Sequence, residues 1–114
     1  MQNSYLTLVR VKDMQAGALN YATSMVLRGD RGDKWIHNEH AWSGLWEPTD
    51  DWAQGGPLRE EYKLKIYPFE QYWWADREDL PTSVKGDTIL IAAMRAVLIL
   101  NGVSEMEVPS WLLK

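Results

Sequence analysis

The sequence contains no cysteine. That absence removes disulfides, thiolate nucleophiles and cysteine-ligated zinc together, and with them the disulfide-stapled secreted module. Positive charge is short as well: 12 Lys and Arg stand against 16 Asp and Glu, for a formal charge of −4. Nonspecific binding to a phosphate backbone draws on clustered cations and is not expected, although a local basic groove is compatible with this balance. No apolar run is long enough for a membrane span. The longest lies between residues 87 and 102, and about 14 helical residues rising roughly 1.5 Å each reach about 21 Å of a hydrocarbon core near 30 Å. Met1-Gln2-Asn3-Ser4-Tyr5 lacks a basic stretch followed by an apolar one, so no signal peptide is expected and the cytoplasm is the expected compartment. Gly-rich phosphate loops, dinucleotide fingerprints, recognition helices and a Gly-x-Ser-x-Gly elbow are all missing. His37 and His40 flank Glu39 without a third ligand at recognisable spacing. Neither metal nor cofactor is expected, and neither is an enzyme. Arg31-Gly32-Asp33 reads as a turn.

What is present suits one folded domain: 114 residues, 46% hydrophobic and 25% charged. Seven tryptophans exceed what a core of this size needs, so some should line a recognition surface. Residues 87 to 102 read as the central helix. Asp87 and Thr88 can cap its start, and Asn101 and Gly102 tolerate the left-handed conformation that ends a helix. Between them only Arg95 is charged; once buried it needs a carboxylate, a carbonyl or a ligand anion. Residues 5 to 12 predict a short strand with Leu6, Leu8, Val9 and Val11 facing inward. Asp13 is a candidate cap for an amphipathic helix through Met14, Ala18, Tyr21, Ala22, Met25 and Val26, ending before Gly29, with Gly17 requiring close packing. A helical turn from Asp50 and a second short helix from Pro57 to Tyr62 are expected. Lys63 to Tyr67 should pair with Gln71 to Asp76 across Pro68-Phe69-Glu70, and residues 81 to 86 form a loop. Trp73 and Trp74 then point to opposite faces. The tail from Met106 to Leu113 is apolar enough to dock. The expected fold is α+β: two main helices packed on a small, mostly antiparallel sheet in a single compact domain.

Asp51-Trp52-Ala53-Gln54-Gly55-Gly56-Pro57-Leu58 with Glu60, then Trp74-Ala75, Gly86, Thr88 and Ile91-Ala92-Ala93-Met94-Arg95-Ala96, resembles the NinX-like family of small bacteriophage and prophage proteins. Ala18-Leu19 and Glu107-Val108-Pro109 extend the likeness over most of the chain. Asn20 and Tyr21 depart from an acidic residue and a tryptophan usual there, and Asp87 and Ile89 from prolines. The resemblance implies a phage accessory protein of the bacterial cytoplasm with a mixed α and β fold and no established catalytic activity.

Two readings of residues 51 to 60 stand side by side. In one, Trp52 offers a stacking face, Gln54 paired donor and acceptor, Gly55 and Gly56 close backbone approach, and Asp51 and Glu60 acceptors, a set suited to a nucleobase. Trp74 and Thr88 would join it, and Arg95 would meet a ligand phosphate. In the other, Gly-Gly-Pro is a tight turn with Trp52 in the core, and Arg95 neutralises a structural carboxylate. The leading expectation is a non-catalytic phage protein that sequesters a nucleotide-derived host defence signal. The alternative is a module that binds a host defence or phage protein through Trp35, Trp42 and Trp46. The tryptophan excess and the apolar tail also predict a homo-oligomer.

Overall fold

The computed structural model describes residues 6–28 and 46–113. Strand β1 runs Leu6–Arg10 and leads through a 3₁₀ turn, Val11–Asp13, to helix α1, Ala16–Thr23, which continues as a π turn over Ser24–Arg28. Helix α2 is Trp52–Glu61, and strands β2 (Lys65–Phe69), β3 (Tyr72–Asp76) and β4 (Val84–Gly86) follow. Helix α3 is Ile89–Leu100, strand β5 Glu105–Pro109, and a last 3₁₀ turn covers Ser110–Leu113.

α3 is the axis on which the rest packs, and every residue from Leu90 to Leu98 is buried. Both expected caps form. Thr88 Oγ1 accepts from Ile91 N at 3.1 Å. At the other end Gly102 takes φ +82°, and the amides of Gly102 and Val103 return to the carbonyls of Ile99 and Leu98. α2 ends the same way on a residue with a Cβ: Lys63 sits at φ 54°, with Leu64 N donating to Arg59 O.

Among the described residues two antiparallel sheets form where one was expected, the first packed on α3 and the second on α1. β2, β3 and β4 form the first in that order, and β1 pairs with β5 to form the second. In the three-stranded sheet Ile66, Trp73, Ala75 and Val84 join the core around α3, while Tyr67, Phe69, Tyr72, Trp74 and Lys85 alternate onto the outer face. The opposite orientations expected for Trp73 and Trp74 follow from this alternation. In the ribbon Leu6 pairs with Pro109 and Arg10 with Glu105. Val11 and Val108 are fully buried. Leu8, expected to face inward, is instead 58% exposed, because the ribbon's other face is the one turned to α1.

Other boundaries shift for local physical reasons. α1 starts after Gln15, not Asp13, since Met14 is extended and its carbonyl is taken by Arg95. Gly17 does pack closely, with the position of a Cβ 3.2 Å from Leu112 O. The two helical pieces expected around Gly-Gly-Pro are one helix. Gly56 has no Cβ to clash with the Pro57 ring, which relieves the usual restriction on the residue before proline. The hairpin turns at Glu70-Gln71, so Pro68 and Phe69 belong to β2, and Pro68 lies on the edge of the sheet where a missing N–H is tolerated.

Candidate functional site

The residues expected to form one site line different grooves. Asp51 caps α2, accepting from Ala53 N at 2.9 Å. The Gln54 side-chain oxygen accepts from Glu47 N, tying α2 to the turn before it. A Cβ on Gly55 would collide with the Pro48 carbonyl oxygen and lie 2.9 Å from Leu90 Cδ2, so this glycine lets the chain cross α3 closely. Gly56 has ordinary space, 3.5 Å from Trp52 Cε3. The segment is therefore a helix and not a tight turn, and Trp52 is 53% exposed instead of plugged into the core. Trp52 and Thr88 do come together, in a groove with Asp50, Trp73 and Asp87. Glu60 lines a shallow groove with Arg59, Lys63 and Lys65.

Arg95 has found carbonyls in place of an anion. Nε and Nη2 donate to Met14 O at 3.1 and 2.8 Å, and Nη1 donates to Lys85 O at 2.8 Å. Burial pulls its pKa down, and Asp87 and Asp13 oppose that pull. The guanidinium thus bridges the 3₁₀ turn before α1 to β4.

Residues of both segments line one groove of about 450 Å³, which also holds Trp74. Lys12 and Asp13 line it from the 3₁₀ turn, Thr82, Ser83, Val84 and Lys85 from β4 and the loop before it, and Ile99 of α3 contributes apolar surface. The Trp74 indole is oriented by a hydrogen bond from Nε1 to Phe69 O at 3.2 Å. Lys85 lies opposite Trp74 in register, and its ammonium sits 4.4 Å from the Tyr72 ring centroid. The Tyr67 and Ser83 hydroxyls are 3.4 Å apart and link β2 to the loop that carries Ser83. An oriented indole beside two ammonium groups and two hydroxyls can stack a planar ring and neutralise an anion attached to it. Of this set the sequence pointed only to Trp74. Residues 81 to 86 read as a loop because β4 has three residues, too few to display an alternation.

Trp46, the one interface candidate among the described residues, donates from Nε1 to Thr23 Oγ1 at 3.0 Å, docking the returning chain on α1. Nearby, buried Asn20 accepts at Oδ1 from both the amide and the hydroxyl of Thr49. Trp35, Trp42, both histidines and Arg31-Gly32-Asp33 lie outside the described residues. Among the described residues no group of His, Cys, Asp or Glu is arranged to hold a metal, and no helix is long and apolar enough to cross a membrane.

No match was found among curated proteins. The family model described as "Bacteriophage P22, NinX" matches residues 11–101, a span that includes the Trp-Ala-Gln-Gly-Gly-Pro helix, Trp74, β4 and the whole of α3. That match covers well over half of the chain, which therefore belongs to the phage P22 NinX family.

Proposed function

We propose that this protein is a non-catalytic phage accessory protein that binds a nucleotide-class molecule in the cytoplasm of the bacterial host and sequesters it from a defence pathway. The observation that carries the reading is the groove of about 450 Å³ that the oriented Trp74 indole lines together with Lys12 and Lys85. Its volume suits a small ligand, and its walls combine apolar area with a few placed polar groups. The ligand face thus moves from residues 51 to 60 to the rim of β4, with Trp74 kept and Arg95 acting behind the walls.

The test is native mass spectrometry of the chain purified from bacteria with and without an active nucleotide-signalling defence system, followed by denaturation. A nucleotide-sized adduct released unmodified, only from the first preparation, is expected. Trp74→Ala should weaken its retention about tenfold, in line with roughly 1–3 kcal/mol per stacked base. A clean apo mass in both preparations, or a chemically altered product, rejects sequestration.

A protein interface is the second reading, favoured by the outer face of the three-stranded sheet, where Phe69 is 59% exposed among Tyr67, Tyr72 and Trp74. The partner would be a host or phage protein, or a second copy of the chain. For the second copy, sedimentation should give a mass above the monomer that Phe69→Asp returns to the monomer. A wild-type mass that stays monomeric from micromolar to millimolar concentration removes self-association.

A further inference from the structure

Next to the Trp74 groove lies another of about 340 Å³, lined by Arg10, Val11, Ser104 and Glu105, and the two meet at Lys12, Pro81 and Ile99, which line both. The chemistry changes along this combined length. One end offers a flat indole with apolar walls. The middle offers the Lys12 ammonium. The far end offers a guanidinium, a carboxylate and a hydroxyl, with Arg10 and Glu105 held opposite each other by the ribbon register.

The short segment that carries Lys12 is tied down on both sides. Val11 N donates to Ser104 O at 2.9 Å, and two guanidinium nitrogens of Arg95 hold Met14 O. A mononucleotide would occupy the first groove and leave the second to water. Glu105 and Ser104 are suited to accept and exchange hydrogen bonds with sugar hydroxyls, and the Arg10 guanidinium plane can lie against a second ring. Resting on the sequestration reading, we infer that the ligand is a dinucleotide: two nucleosides joined through phosphate, the phosphate at Lys12, one base on Trp74 and the second nucleoside between Arg10 and Glu105.

Calorimetric titration of the full chain with adenosine monophosphate and with diadenosine diphosphate tests this, the two probes carrying similar charge and differing in the second nucleoside. The dinucleotide should bind at least tenfold more tightly. In Arg10→Ala, a change on an exposed strand position, that advantage should fall below threefold, while Trp74→Ala should weaken both probes. Equal affinity for the two probes in the wild-type chain overturns the dinucleotide inference and leaves sequestration of a mononucleotide standing. Binding of neither probe overturns both.

Discussion

Replacing Arg95 with methionine is expected to lower the unfolding free energy by about 3 kcal/mol, a large share of a domain whose total stability is on the order of 5–15 kcal/mol. The methionine fills much of the same volume, so the loss arises from the polar partners. Met14 O would lose two donors and Lys85 O one. A buried carbonyl stripped of its partner costs roughly 1–3 kcal/mol. Arg95→Lys should recover part of the loss, because one ammonium cannot reproduce a planar fork that reaches two segments at once. Urea unfolding followed by tryptophan fluorescence would report the change as a lower midpoint at constant slope. A shift below about 1 kcal/mol would show that water replaces the guanidinium without cost. Since Met14 follows Lys12 and Asp13, and Lys85 itself lines the same groove, the same substitution should also loosen the ligand groove.

Gly86→Ala is expected to be as damaging, for a steric reason. A Cβ there would collide with Ala92 N and lie 2.8 Å from Ala92 Cα and 3.0 Å from the Ile91 carbonyl carbon. All three atoms are backbone of α3 and have no rotamer to escape into. Overpacking usually costs about 1–3 kcal/mol, and a clash with helix backbone belongs at or above the top of that range. β4 would have to lift from α3 and disturb its pairing with Trp73. Neighbouring Lys85→Ala, at an exposed position, should stay within about 0.5 kcal/mol of wild type. Thermal unfolding of the two variants side by side checks the contrast, and equal midpoints would contradict the close approach of β4 to α3.

The parts of this fold that were readable in the sequence are those whose physics is local. α3 declared itself because both caps and an apolar run broken only by Arg95 lie within 16 consecutive residues. The β2 and β3 hairpin showed through its alternation, which also put Trp73 and Trp74 on opposite faces. α2 was obscured because Gly55, Gly56 and Pro57 each argue against helix taken alone. What outweighs them is tertiary: the close crossing of Gly55 over Pro48 and Leu90. Arg95 illustrates the same limit at the level of a single side chain. Its need for partners followed from the apolar run around it, but their identity did not, since Met14 O is a backbone group 81 positions away. The candidate groove is assembled from a 3₁₀ turn, Trp74 of β3, a loop with the three-residue β4, and one position of α3, and no short window of sequence contains them all.

The ribbon of β1 and β5 sets the order in which this molecule can form. Its strands are joined across nearly the whole chain, with the hydroxyls of Thr7 and Ser110 2.7 Å apart across 103 positions. Closing a loop of about a hundred residues costs roughly 4 kcal/mol from its logarithmic term alone, whereas the hairpin and α3 close over short spans. The ribbon should therefore zip last, onto a nucleus already built around α3. During synthesis, β1 emerges before the other strands and waits longest for its partner. Until residues 105 to 109 arrive, its backbone edge is available to other strands, and a ribosome stalled before that point would hold a chain in which Leu6 to Arg10 still lack their partner strand.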